Sequence, residues 1–506
     1  MTETAARPDE RATRQPEQVT VDIAGAGAAL GPPAAPERSH GYLVRGLGHL
    51  PTSRLAEGRF GRMFRRVPPF VPTDERIAKI AETMAEATPP DPEGDNPAIP
   101  AGFTYLGQFI DHDLTFDPVS SLSRQNDPDA LVNFRTPRFD LDSLYGSGPA
   151  DQPYLYEDPR AGRLLVEEHD GVRDLPRNRR GTALIGDPRN DENVIVSQLH
   201  LTMLLFHNKV LAEVCDLPDH SRPGDDRFTA AQRIVRWHYQ WVVVHDFLRR
   251  VVGDETLAGV LVREALLPGG EPVEQVRQHF FDWDQQVFMP VEFSVAAYRF
   301  GHSIIRGRYR LNANVVKPLF TPRPASEDPL EHLGGFRPLP AGWQIEWRRL
   351  FDVDGRPADT PSRKIDTKLV PPLLEMPPEV AEGILNLAVR NLTRGARLGL
   401  PSGQDVARAM GVPVLTDEEL GLPTPGPAPL WYYVLREAEK RAGGKHLGPV
   451  GGRIVAEVFL GILREDPSSY LSVAPGWKPF LPSAKAGDFT MADLLTYVDF
   501  GRGHVG

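Results

Sequence analysis

"GQFIDHDLT", residues 107–115, sets a histidine between two aspartates inside an otherwise apolar run. Helical spacing puts Gln108, Asp111 and His112 at i, i+3 and i+4, on one face, and turns Asp113 away from them. Each charge is costly to bury unless something pairs with it. The triplet is therefore either a solvated, hydrogen-bonded face or a set of side chains that holds something. The two aspartates point to different neighbours, so they can serve different sites.

Around this stretch, helical periodicity dominates the long segments. Residues 193–216, 228–253, 293–309, 377–399 and 451–466 all read as helices, and alternating strands are few and short. The fold class is mainly α, and the length allows two or three domains or one large single core. The chain has 506 residues, 50 prolines and 46 glycines, which implies many loops between discrete elements. Residues 1–40 are rich in Pro, Ala and charge and lack the apolar core of a signal peptide. They read as a mobile arm ahead of residues 41–506. No 18-residue window reads as a membrane span. The expected location is cytoplasmic, with export by another route left open. A net charge of −11 and the lack of a basic run argue against nucleic-acid binding. Cys215, the single cysteine, cannot form an intrachain disulfide or a zinc-type cluster.

Further polar groups recur in apolar surroundings. In "TPRFDLDSLYG" (136–146), Thr136, Asp140 and Asp142 offer the oxygens that a hard cation prefers, and the same pattern suits a polar turn. In "GDPRNDENVIV" (186–196), Arg189 and Glu192 open an apolar helix; the helix dipole accounts for the acids and not for the arginine. In "AAYRFGHSII" (296–305), His302 follows Arg299 by one turn and on its own reads as a core histidine. In "AVRNLTRGARLGLPSGQ" (388–404), Asn391 lies on an apolar stripe with Ile384, Leu387 and Ala388, so it is expected to be buried with a partner. Arg394 follows one turn later.

Taken in order, Gln-x-x-Asp-His-Asp, Thr-x-x-x-Asp-x-Asp, Arg-x-x-Glu, Arg-x-x-His and Asn-x-x-Arg resemble the animal-type haem peroxidases of the peroxidase–cyclooxygenase superfamily, in a bacterial branch. The resemblance spans about residues 40–500. It implies one large single-core haem peroxidase domain over 41–506 with the haem between central helices, and haem b and calcium as cofactors. It implies His112 as the general base on hydrogen peroxide, Arg189 as the residue stabilising charge on the breaking O–O bond, and Gln108 as their companion. His302 would be the iron ligand, Asn391 the acceptor of its other ring N–H, Arg394 a propionate partner, and Arg299 a further haem-side residue. Asp113, Thr136, the carbonyl of Arg138, Asp140 and Asp142 would hold calcium. Asp142 stands where mammalian members carry serine. Asp111 and Glu192 match the ester-forming positions, and Asn193 replaces a methionine that adds a sulfur link in one mammalian member.

The expected function is reduction of hydrogen peroxide with oxidation of a halide, thiocyanate or small organic donor. The alternative is a fatty-acid dioxygenase of the cyclooxygenase or α-dioxygenase type. Those enzymes carry a tyrosine three residues before the iron ligand. Here that position is Arg299, with Tyr298 one step away. A haem-free calcium-binding scaffold is the third reading. The donor and the oligomeric state are not legible from these motifs.

Overall fold

The long apolar segments do form helices, and their burial organises everything else. The computed structural model describes residues 58–115, 132–133, 137–169, 171–213, 225–265, 270–283, 287–321, 329–377 and 383–498. The arm expected over 1–40, Thr136 and Cys215 lie outside the described residues. Among the described residues the α-helices begin with α1 (Asp74–Glu82), α2 (Gly102–Leu114), α3 (Asp142–Tyr145), α4 (Val194–Glu213) and α5 (Arg227–Trp241). Next come α6 (Arg249–Val252), α7 (Asp254–Ala258), α8 (Pro371–Leu374), α9 (Leu387–Arg397) and α10 (Gly403–Met410). The last are α11 (Asp417–Leu420), α12 (Leu430–Ala442), α13 (Pro449–Glu465), α14 (Tyr470–Val473) and α15 (Met491–Tyr497).

Strands are short and serve as clasps. Gly58–Gly61 runs parallel to Met289–Pro290, with Phe60 opposite Met289, and antiparallel to Val132–Asn133. Asp95–Pro100 pairs antiparallel with Pro361–Arg363, immediately before α2. The start of α2 has no side-chain cap. Neighbouring backbone replaces it: Ala101 N–H donates to Thr360 O (3.0 Å) and Gly102 N–H to Leu350 O (2.8 Å). Gly102 is required there, since a Cβ would sit 2.3 Å from the Phe351 ring.

α4 carries the core. Residues from Val194 through Val196, Leu199, Leu201 and Phe206 are all nearly inaccessible, each contributing roughly 1.5–3 kcal/mol of burial. By length and composition alone α4 could cross a membrane, but most of it lies inside the fold, as in a core helix. A helix apolar on every side is what a buried core element requires.

Two segments expected as plain helices are irregular. The 228–253 reading is broken by a π-turn at Val242–Leu248 between α5 and α6. The 293–309 reading ends early: a π-turn at Glu292–Ala296 passes into a 3-10 turn at Ala297–His302, with Ala296 at φ −126°, ψ −75°. Tight or widened turns leave carbonyls without their helical partners, and side chains supply them. Trp431 Nε1–H donates to Arg299 O (3.2 Å), and Arg299 Nε–H to Ser294 O (3.1 Å). In a 3-10 turn side chains at i and i+3 eclipse, which brings Arg299 and His302 to the same side. The 377–399 reading is shortened as well. α9 starts at Leu387, where Asn386 caps it by accepting from Val389 N–H (3.1 Å), so Ile384 precedes the helix and does not share its stripe.

Buried apolar residues form one main core that includes α2, α4, α5, α12 and α13. A small second cluster of Leu319, Val370, Leu373, Met376 and Leu387 lies apart from it. Leu319, Leu373, Met376 and Leu387 line a cavity.

Candidate active site

That cavity has a volume of about 540 Å³, within the size range of small-molecule and cofactor sites. α2 contributes Gln108, Asp111 and His112 to its wall, the turn before α4 contributes Glu192, and the Ala297–His302 turn contributes Tyr298, Arg299 and His302. Phe247, from the π-turn after α5, adds an aromatic face. The irregular turns are thus where the chain meets the cavity. Gln108, Asp111 and His112 reach it together, as their spacing on one helical face requires.

His112 is 4 % exposed. Its Nδ1 lies 2.8 Å from Asn190 Oδ1, and its Nε2 lies 3.7 Å from Glu192 Oε1. Gln108 Nε2–H donates to the same Glu192 oxygen. Asn190, Asp191 and Arg189 occupy a 3-10 turn, Pro188–Asp191, rather than the first turn of α4. Arg189 is not on the cavity wall. Its Nη2 donates to Asp187 Oδ2 (2.8 Å) and to His112 O (2.9 Å), and its Nε also reaches Asp187. This corrects the picture of a guanidinium facing a ligand directly. The nearby carboxylate of Asp187 takes the charge and orients it against the backbone of α2.

Burial pushes the Glu192 carboxyl up to about 7, against the lowering effect of the Arg189 charge and the Gln108 hydrogen bond. Its side chain is 38 % accessible, and it lines the cavity. The Asp111 carboxyl is also raised by burial, opposed by the charges of Arg189 and Arg299 and by the Thr115 hydroxyl, which donates to Asp111 Oδ1 at 3.1 Å.

His302 Nδ1 lies 2.8 Å from Asn391 Nδ2, and Asn391 is 1 % exposed. Burial, and then the Arg299 charge, pull the His302 imidazole down to about 3, so the ring is neutral. The expected pair is present with its polarity reversed. Arg299 Nη1–H takes Asn391 Oδ1 (3.2 Å), which leaves the amide N–H to donate to His302. The guanidinium has only donors and therefore claims the only acceptor of the amide. Arg394 is half-buried on α9 and is not on the cavity wall.

Asp113 turns away from the cavity, as expected. It meets Asp140 and Asp142, each offering an oxygen, and these atoms all lie within 4.8 Å of one another. Asp113 is fully buried and Asp140 is 3 % exposed. Leu141, between the two loop aspartates, is left-handed at φ 59°, a conformation a branched residue adopts only when its surroundings impose it. Its N–H donates to Asp113 Oδ2 (3.3 Å), and the Tyr239 hydroxyl donates to the same oxygen (3.5 Å). Arg138 is half-buried, with its guanidinium 3.9 Å from Asp466.

Asn190, Asp187 and His200 escaped the sequence reading. Asn190 stands next to a motif residue and His200 is a lone histidine in an apolar helix, so neither carried a pattern of its own.

The animal haem peroxidase family matches residues 117–419, more than half of the chain. Arg189, Glu192, His302 and Asn391 fall inside that span. Gln108, Asp111, His112 and Asp113 precede it and are placed by the geometry above. The chain is similar to the peroxidasin homolog of Mus musculus, 29 % identical over 227 residues that make up 44 % of this chain and 14 % of that protein. It is also similar to the peroxidase-like protein of Margaritifera margaritifera, 25 % identical over 299 residues, 47 % of this chain and 35 % of that protein. It thus spans well under half the length of either relative. Among solved structures, it resembles peroxidase A from Dictyostelium discoideum, with a TM-score of 0.60 and 16 % identity over 89 % of this chain and 95 % of that one. Fatty acid alpha-dioxygenase from Arabidopsis thaliana gives 0.50 and 14 % over 78 % and 71 %. At these identities the likeness is one of fold.

Proposed function

The chain belongs to the animal haem peroxidase family, and on that premise we propose that it reduces hydrogen peroxide at a haem in the cavity shared by His112 and His302, oxidising a halide, thiocyanate or small organic donor. The observation that carries this reading is the meeting of two histidines from different elements in one cavity, each with its Nδ1 held by a buried asparagine.

The donor set fits the group. His302 is neutral, as a metal-binding imidazole must be, and the walls combine aromatic and aliphatic faces with a few polar groups. His302 would hold the iron through Nε2. Its proton would then sit on Nδ1, which requires Asn391 to turn its oxygen toward the ring and release Arg299. The haem, when bound, supplies the iron at which the peroxide O–O bond is cleaved and from which a donor is oxidised.

The remaining chemistry belongs to the chain. The Nδ1–H of His112 is engaged by Asn190 Oδ1, so Nε2 presents a lone pair that can take a proton from one peroxide oxygen and return it to the other. Gln108 and Glu192 sit beside that nitrogen and order what occupies the space. Arg189 acts at one remove, holding the His112 carbonyl and adding positive potential near the cavity. Replacing His112 by alanine should lower kcat/KM for peroxide by roughly 10²–10⁴-fold with haem content unchanged. Stopped-flow traces at the wild-type rate would contradict the assignment.

Tyr298 keeps the dioxygenase reading alive, because it lines the cavity beside Arg299. Its hydroxyl donates to Gly107 O at 3.0 Å, and it stacks on Phe293. A donor screen with peroxide, run against unsaturated fatty acid with oxygen alone, separates the two.

Two finer points belong to the same proposal. Calcium would occupy the Asp113–Asp140–Asp142 cluster, with Thr136 and the Arg138 carbonyl completing its oxygen shell. Converging carboxylates, two buried and the third half-buried, are strongly unfavourable without a cation among them. Because Asp113 adjoins His112 in α2, chelation or Asp140→Ala should lower Tm and alter the haem spectrum together. An unchanged Tm and spectrum after chelation would refute the cluster as a calcium site.

Asp111 and Glu192, the two carboxylates on the cavity wall, would carry ester links to the haem edge. After turnover with peroxide, acid–acetone extraction should leave haem on the wild-type chain and remove it from the Asp111→Ala, Glu192→Ala double variant. Complete extraction from the wild type would rule the esters out.

A further inference from the structure

Behind His112 lies a second histidine with no route to the cavity wall. Asn190 joins the two: its Oδ1 lies 2.8 Å from His112 Nδ1 and its Nδ2 lies 3.1 Å from His200 Nδ1. All three are sealed in, His112 at 4 % exposure and Asn190 and His200 at zero. A carbonyl oxygen can only accept and an amide nitrogen can only donate. One amide between two imidazoles therefore couples their tautomers. With the oxygen toward His112, His112 carries its proton on Nδ1 and His200 must leave Nδ1 bare. With the amide turned over, the assignments exchange, and His112 Nε2 becomes an N–H that cannot act as a base.

We propose that His200, acting through Asn190, is a positioning residue that locks His112 in the tautomer whose Nε2 carries the lone pair that takes the peroxide proton. His200 is suited to this because it cannot compensate by ionising. Burial pulls its imidazole down to about 3, so it holds a single proton, on Nε2 when Nδ1 accepts. Among the described residues, Nε2 itself has no hydrogen-bond partner. The ring meets Phe109 in a T-shaped contact at 6.0 Å, so its surroundings are aromatic rather than polar. The bias thus runs outward from a greasy pocket in α4, through one amide, to the nitrogen that faces the cavity. The role in peroxide cleavage rests on the peroxidase reading; the tautomer coupling does not.

The test uses the full haem-loaded chain in its ferrous carbonyl form, which is diamagnetic, with 15N-labelled imidazoles. The chain has 14 histidines, and the His112 signals are identified by their loss in His112→Gln. Wild-type His112 should show a protonated Nδ1 and a bare Nε2. His200→Leu removes the acceptor, so the amide is no longer held, and His112 should populate the other tautomer. The peroxide rate should then fall about a hundredfold at unchanged haem content and unchanged KM for the donor. His200→Gln, which restores an acceptor oxygen, should recover most of both. A wild-type His112 protonated on Nε2 overturns the proposal, and this holds even if His200→Leu does not fold. An unshifted tautomer in a folded His200→Leu also overturns it, as does a shifted tautomer with an undiminished peroxide rate. If the wild type shows the expected tautomer and no peroxide reaction at all, it is the peroxidase reading that has failed.

Discussion

Placing three consecutive ionisable side chains on one buried helix is the constraint that the rest of this structure answers. α2 is apolar along most of its length, so Asp111, His112 and Asp113 each need a separate partner set within one turn. Successive residues on a helix diverge by about 100°, so no single neighbour can serve all three. Asp111 goes to the cavity with Thr115 behind it. His112 goes to Asn190 and Glu192, and Asp113 goes to the aspartates of the following loop. Around that one turn the fold assembles a cavity, a turn before α4 and a carboxylate cluster.

The second half of the cavity is built by departures from regular helix. A straight α-helix through 293–309 would have spaced Arg299 and His302 about 60° apart around its axis. The π-to-3-10 passage aligns them instead and leaves Arg299 O for Trp431. The π-turn at Val242–Leu248 places Phe247 on the same cavity. Such interruptions are tolerated because α12 and α13 pack behind them as regular, largely buried helices. The regular helices carry the stability, and the irregular ones place the polar groups.

Much of this was legible in the chain. Long apolar periodicity located α4 and α13 within a few residues, and the i, i+3, i+4 spacing correctly grouped Gln108, Asp111 and His112 against Asp113. Boundaries failed at Ala296, where a distant tryptophan takes up a carbonyl that no local pattern predicts, and at Asn386, whose side chain caps α9 in the middle of an apolar run that reads as continuous helix. Arg189 could be singled out as an arginine that the helix dipole does not explain, but not its direction, since Asp187 two residues away captures the charge. The polarity of the Asn391 amide was equally hidden: it depends on which neighbour has no acceptor to offer, and that neighbour is Arg299.

The central claim is that His302 is the residue through which this cavity holds haem iron. Resonance Raman spectra of the ferrous, haem-reconstituted protein test it most directly. The wild type should show an iron–histidine stretching band, and the His302→Gly variant should lose it and regain an imidazole-type band when free imidazole is added. A wild-type band that persists unchanged in the glycine variant, without imidazole, would contradict the account, because the iron would then be held by another residue.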